Sequence, residues 1–251
     1  MWDDRAALGA LELDDRDRVL DVGCGSGELS RVLAEETPGD VVGVDADPTL
    51  LAAARERAGI ETVAGDALRL PFPDDSFDVV VCQALLINLP DPAAAVAEFG
   101  RVSSDLVAAV EPDNAAVSVE STVESESALA ACARRAYLDG VETDVTLGGD
   151  GTREAFRAAG LSDVSTRPHY HVRTIEPPYA ERDLRAARRK ASGEGLADDR
   201  ATLLAGDLSP EEYDDLRTAW REMGRDVIEQ MRADEYRRAE VVPFYVTVGS
   251  V

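Results

Sequence analysis

An α/β fold built on a mostly parallel sheet is what the sequence predicts, and three observations predict it. Short β-branched runs alternate with helical stretches through the first 110 residues or so. Two of those stretches open on Asp-Pro, at Asp47-Pro48 and Asp91-Pro92. A glycine-rich turn, Gly23-Cys24-Gly25-Ser26-Gly27, joins the first run to the first helix. Strands alternating with helices of this length make βαβ units, whose crossovers cover both faces of a parallel sheet. A chain of 251 residues buries roughly 70–75% of its unfolded surface, so it needs no disulfide or metal staple.

Taken in order, strands are predicted over residues 18–22, 41–44, 61–64, 77–82 and 106–110. Asp47 caps a helix over 49–58 and Asp91 one over 93–102, each with proline at the first helical position. An aspartate there accepts amide protons that the first turn leaves unpaired, and proline has no such proton. The second half is less regular. Helices are predicted over 125–138 and 152–159, a strand over 164–173, and a long helical region from Pro177-Pro178. Within that region Ser209-Pro210-Glu211-Glu212 is a capping box. Tyr213, Leu216, Trp220, Met223, Val227 and Met231 follow at spacings of three or four, one apolar face of a long helix. Core packing is the expectation for that stripe, with a hydrophobic substrate wall as the alternative. The chain closes in a strand over 241–251.

Asp and Glu number 50 against 26 Lys and Arg, for a formal net charge of −24. Lys190 is the only lysine. A surface of this sign repels nucleic-acid backbones and anionic membranes, so neither is expected as a partner. With the acids spread rather than blocked, the composition resembles that of proteins from salt-accumulating, halophilic archaea. Charge would then report on the solvent; a cationic partner is the competing explanation. Cys24, Cys82 and Cys132 lie apart, with no Cys-x-x-Cys and two histidines in all. That argues against a disulfide framework and a bound metal. No apolar run approaches the roughly 20 residues that cross a bilayer, and no signal-peptide pattern opens the chain. A cytoplasmic protein is expected.

The glycine turn is the strongest motif. It lies in Val19-Leu20-Asp21-Val22-Gly23-Cys24-Gly25-Ser26-Gly27. Glycines there permit a tight turn and close approach of a ligand to the backbone. A dinucleotide fingerprint would need glycine where Glu28 stands, and a P-loop would need a lysine that is absent. Asp21, on the strand before the glycines, suits a cationic ligand better than a pyrophosphate. Asp45 ends the second strand about twenty residues on, where ribose hydroxyls are accepted in doubly wound folds. Asp66, in Gly65-Asp66-Ala67, follows the third strand.

Further motifs are Leu70-Pro71-Phe72-Pro73-Asp74-Asp75-Ser76-Phe77-Asp78 and Leu89-Pro90-Asp91-Pro92. With these and the turn, Val44-Asp45 and Gly65-Asp66-Ala67, residues 18 to about 112 resemble the class I S-adenosylmethionine-dependent methyltransferases. The resemblance is closest to the small-molecule branch typified by ubiquinone and menaquinone C-methyltransferases. It implies a Rossmann-like seven-stranded, mostly parallel sheet with an antiparallel last strand. It implies S-adenosyl-L-methionine as cofactor and S-adenosyl-L-homocysteine as its product. By that resemblance Asp21, Gly23, Cys24, Gly25 and Gly27 hold the methionine part and Gln83 flanks it. Asp45 with Ala46 takes the ribose, and Asp66 with Ala67 the adenine. Ile87-Asn88 stand where the family often has a histidine pair.

Ligands of open parallel sheets bind beyond the carboxyl ends of the strands. The expected division is a cofactor domain of residues 1–175 and 241–251, with a helical cap insertion of 176–240 that sets substrate choice. The expected activity is methyl transfer to a small, partly apolar acceptor by in-line displacement. Alternatives are an RNA or protein methyltransferase, or a regulator that binds the cofactor without turnover. Neither base-modifying signatures nor an aromatic-basic strand is visible. No residue announces itself as a general base; His169 and His171 share one face of the strand over 164–173. Arg182, Arg185, Arg188, Arg189 and Lys190 form the one dense basic cluster.

Overall fold

The computed structural model describes residues 5–143 and 145–251. In chain order the elements are β1 (Arg18–Val22), α1 (Glu28–Glu36), β2 (Asp40–Asp45), α2 (Pro48–Ala58), β3 (Glu61–Ala64) and β4 (Phe77–Gln83). Then come α3 (Pro92–Val102), β5 (Ser103–Pro112), β6 (Ser118–Ser121), α4 (Glu126–Gly140), α5 (Gly148–Ala158) and β7 (Ser162–Ile175). The last are α6 (Glu181–Ser192), α7 (Glu194–Asp198), α8 (Arg200–Leu203), α9 (Pro210–Arg232) and β8 (Arg238–Ser250). The chain divides into two compact units. One is Met1–Asp113, Leu147–His169 and Phe244–Val251; the other is Asn114–Thr146 and Tyr170–Pro243.

In the first unit the strand order is β3-β2-β1-β4-β5-β8. The five strands before β8 pair in parallel. β8 runs antiparallel to β5, from Leu106 opposite Ser250 to Pro112 opposite Phe244, and β7 also pairs with β8. This is the mostly parallel sheet with an antiparallel last strand that the sequence predicts. Alternate residues of the central strands enter two cores. Val19, Val79, Val81, Ala108 and Val110 face one way with α1. Leu20, Val22, Val80, Cys82, Val107 and Ala109 face the other with α3. Both predicted Asp-Pro caps form. Asp47 accepts from Thr49 N (2.7 Å) and Asp91 from Ala94 N (3.0 Å). A 3-10 turn over Arg5–Leu11 buries Leu8 and Leu11 against the first core.

The second unit is mainly helical. Its α9 opens on the capping box: Glu212 N donates to Ser209 Oγ (3.3 Å) and Ser209 N to Glu212 Oε2 (2.9 Å). The α9 stripe is core. Met223, Val227 and Met231 pack with Ala187 and Tyr236, while Tyr213 and Leu216 pack with Leu196 and Leu203. Two features differ from expectation. The described residues hold eight strands rather than seven, because β6 pairs antiparallel with residues 238–241 of β8. Four residues with two serines are too short and polar a run to be read as a strand alone; the partner makes it one. Asn114–Thr146, expected with the first unit, falls in the second, where its β6 pairs with β8 and its α4 packs on helices. The small face of α4, Ala133 and Ala136, lets it pack closely against Leu203 and Leu216.

Candidate functional site

The site begins where β1 ends. Gly23 N and Cys24 N both donate to Val44 O, at 2.7 and 2.9 Å, tying the glycine turn to the end of β2. Gly25 has φ +52°, and a Cβ there would meet nothing within 4 Å. Its glycine is demanded by backbone conformation, and the space before it is open. Gly23 (φ +69°) and Gly27 (φ +80°) are demanded by conformation too, and Gly27 by packing against backbone as well. A Cβ on Gly23 would lie 2.8 Å from Leu85 Cδ1, and one on Gly27 2.9 Å from Ala54 Cα.

Carboxylates surround this turn. Asp21 is 1% exposed and accepts one hydrogen bond from Ser30 Oγ at 2.5 Å. Burial pushes its carboxyl up to about 7; the Ser30 bond opposes the shift and the Asp45 charge adds to it. Asp45 takes one backbone proton on each oxygen, from Gly25 N onto Oδ2 and Asp47 N onto Oδ1, both at 2.9 Å. A carboxylate offers about four lone-pair sites, so each oxygen keeps one for a ligand. Gly65 N donates to Asp45 O (3.1 Å), which sets the turn after β3 beside the end of β2. In that turn Leu68 N donates to Asp66 Oδ1 (2.9 Å), and Ala67 packs on the second core. Ala46 follows Asp45 and is exposed; Gln83 ends β4, one residue past the Val22–Cys82 pair, and is half-buried. The predicted cofactor residues thus gather at the carboxyl ends of β1 to β4. Burial, then the charges of Asp21 and Asp45, push the Cys24 thiol up to about 12, so it is a neutral neighbour rather than a nucleophile.

Sequence reasoning missed Glu111. It is fully buried at the end of β5 and accepts from Leu85 N (3.0 Å), Leu86 N (2.9 Å) and Ile87 N (3.4 Å). Burial pushes its carboxyl up to about 7 against the pull of those three amides. Glu111 fixes the loop that follows Gln83 and puts Leu85 against Gly23. The signal was present: an acid closing an apolar strand, as at Asp21 and Asp45. The strand predicted over 106–110 stopped one residue short of it.

The remaining candidates lie apart from this cluster. His169 lines a separate concavity of about 230 Å³ with Ala6, Ala10 and Val246, and none of the predicted cofactor residues reaches it. In the basic cluster, Arg185 pairs with Glu181 (3.0 Å), Arg189 with Asp198 (2.5 Å) and Lys190 with Glu126.

Open space at Gly25, spare acceptor sites on Asp45 and a buried acid at Asp21 together fit a ligand carrying hydroxyls and positive charge. S-adenosylmethionine, a sulfonium with a ribose, is such a ligand.

Comparison with known proteins bears on the same stretch. Residues 20–105 match the family described as Methyltransferase domain. The chain is similar to demethylmenaquinone methyltransferase of Deinococcus radiodurans, 42% identical over 107 residues that cover 40% of this chain and 44% of the relative. It is also similar to 2-phytyl-1,4-naphtoquinone methyltransferase of Synechococcus elongatus, 42% identical over 95 residues covering 34% and 41%. The chain thus spans less than half the length of either relative. Over nearly its whole length it shares the fold of a candidate methyltransferase of Bacillus halodurans C-125. The TM-score is 0.54 at 17% identity, covering 97% of this chain and 99% of that one.

Proposed function

We propose, from the premise that residues 20–105 are a methyltransferase domain, that the chain moves a methyl group from S-adenosylmethionine to a small, partly apolar acceptor of the quinone type. One observation carries the cofactor half of this reading. The glycine turn is tied to the end of β2 through Val44 O, Asp45 beside it keeps acceptor capacity, and the space before Gly25 is open. The acceptor half is supported by the relatives, methyltransferases of demethylmenaquinone and of 2-phytyl-1,4-naphtoquinone.

S-adenosylmethionine supplies an electrophilic methyl group on a sulfonium. The chain's own residues then bind and orient. Asp21, with Gly23, Cys24, Gly25 and Gly27, holds the methionine part, its carboxyl setting a negative potential that favours the cation. Asp45 with Ala46 accepts from the ribose hydroxyls, and Asp66 with Ala67 receives the adenine. Gln83, at the end of β4, flanks the methionine part just before the loop that Glu111 holds in place. Methyl transfer of this kind is an in-line displacement, so orientation and exclusion of water supply much of the rate.

Methyl-labelled S-adenosylmethionine, incubated with the protein and a reduced naphthoquinone lacking the ring methyl, tests the proposal. Label in the quinol fraction together with S-adenosylhomocysteine is the expected result. Calorimetry showing NAD bound and S-adenosylmethionine ignored would overturn the cofactor assignment. Label passing to RNA or protein and not to the quinol would overturn the acceptor assignment.

A further inference from the structure

In the second unit, α6 and α9 lie side by side and leave a groove of about 450 Å³ between them. Its lining is short and of two kinds. Leu184, Ala187, Ile228 and Met231 make an apolar floor, and Arg188 and Arg232 make the rim. Ala187 and Met231 are buried, whereas Leu184 is 39% exposed. No carboxylate lines the groove. The chain as a whole carries 50 acidic residues and a net charge of −24.

The two arginines differ from their neighbours. On α6, Arg182, Arg185 and Arg189 are engaged with Asp183, Glu181 and Asp198, and Lys190 with Glu126. Arg188 and Arg232 are exposed and, among the described residues, make no ion pair or side-chain hydrogen bond. Two unspent guanidinium groups therefore flank one strip of apolar surface.

We propose that this groove is a binding site for a single-chain anionic amphiphile, a molecule with an apolar tail and one carboxylate or similar head. The tail covers Leu184, Ala187, Ile228 and Met231 and removes their surface from water. The head lies between Arg188 and Arg232, whose planar forks match carboxylate geometry. The volume is within the usual range for small-molecule sites. Charge selects this occupant over two others. A second copy of the chain carries the same −24 and repels the first. An anionic bilayer is repelled by the rest of the acidic surface, while a single dissolved amphiphile meets only the local positive rim. The proposal is independent of the methyl-transfer assignment.

Titration calorimetry on the full chain, at one fixed salt concentration, tests it with decanoate, decanol and acetate, all below micelle-forming concentrations. Decanoate should bind one per chain, with decanol and acetate each weaker by about tenfold or more. Arg188→Glu combined with Arg232→Glu should weaken decanoate by about tenfold and keep a cooperative melting transition, since both side chains are exposed. Leu184→Glu should weaken it similarly. Equal binding of decanol would overturn the role of the arginines, and equal binding of acetate would overturn the role of the floor. Undiminished decanoate binding by the charge-reversed variant would overturn the site itself. Co-sedimentation with phosphatidylglycerol vesicles without decanoate binding would point to a membrane surface instead, and overturn the proposal. Dimerisation lost on Leu184→Glu would do the same in favour of a second copy.

Discussion

Asp21 is ionised only with difficulty, and this gives the site a pH signature. Its folded-state pKa of about 7 stands above the ordinary 3.8, because burial outweighs the Ser30 hydrogen bond. Between those values the folded state holds more protons than the unfolded one. Stability of the unliganded protein therefore falls as pH rises from about 4 to about 7 and is level above that. Glu111, raised to about 7 by burial, adds a fall in the same window. Asp21→Asn separates the two. Its melts should lose part of the slope and gain about 2–4 kcal/mol at pH 8; melts parallel to the parent across the window would refute burial as the cause. A cationic cofactor favours the ionised carboxyl, so affinity for S-adenosylmethionine should rise from pH 6 to pH 8 in the parent and stay flat in Asp21→Asn. Asp45→Ala acts on binding directly. Losing a charged acceptor shared by two hydroxyls should cost about 1.5–3 kcal/mol, or roughly 10- to 150-fold in affinity by calorimetry.

At the scale of elements, one buried cluster ties the second unit together. Glu126, 1% exposed at the start of α4, accepts from Lys190 of α6, Ser121 Oγ of β6 (2.6 Å) and the hydroxyl of Tyr236 (2.9 Å). Arg238 of β8 stands 3.2 Å away. Burial pushes the Glu126 carboxyl up, but the Lys190 charge and these hydrogen bonds outweigh it and hold it below the usual carboxylate range. For Lys190 the balance runs the other way: burial lowers the ammonium and Glu126 offsets it in part. The sole lysine of the chain is thus bound to a packing task. Glu126→Gln leaves Lys190 without its counter-charge, while Arg238 keeps Glu240 at 2.6 Å, and should destabilise the second unit by about 3–5 kcal/mol. Hydrogen exchange across α4 and α6 reads this directly. Rates equal to the parent's would show that Lys190 finds water or another acid instead.

For the molecule as a whole, charge is the dominant fact. Exposed carboxylates in a chain of net charge −24 repel one another over about 10 Å at 0.1 M salt, and over about 3 Å at 1 M. Surface pairs such as Arg57–Glu28 and Arg185–Glu181 relieve little of this, since each contributes about 0–1 kcal/mol. The melting midpoint should therefore be markedly higher in 2 M than in 0.1 M potassium chloride. Equal midpoints would remove the salt-adapted explanation of the composition and favour a cationic partner.

By itself the sequence determined what local chemistry encodes. Periodicity placed β1 to β5, Asp-Pro placed the starts of α2 and α3, and the Ser209–Glu212 box placed the start of α9. Glycines able to take positive φ, with acids at strand ends, picked out the Gly23–Gly27 turn and Asp45, which the fold joins through Gly25 N. Tertiary structure alone decided the rest. That Asp21 is buried rather than solvated depends on the strands and helix packed around it. That Glu111 reaches back 26 residues to the amide of Leu85 depends on β4 and β5 being neighbours. That α4 packs through Ala133 and Ala136 on Leu203 and Leu216 depends on helices more than sixty residues away. Arg188 and Arg232 frame one groove only because α6 and α9 lie side by side. A residue's type carries its own conformational preference and charge, but its partner across the fold is set by which surfaces bury together.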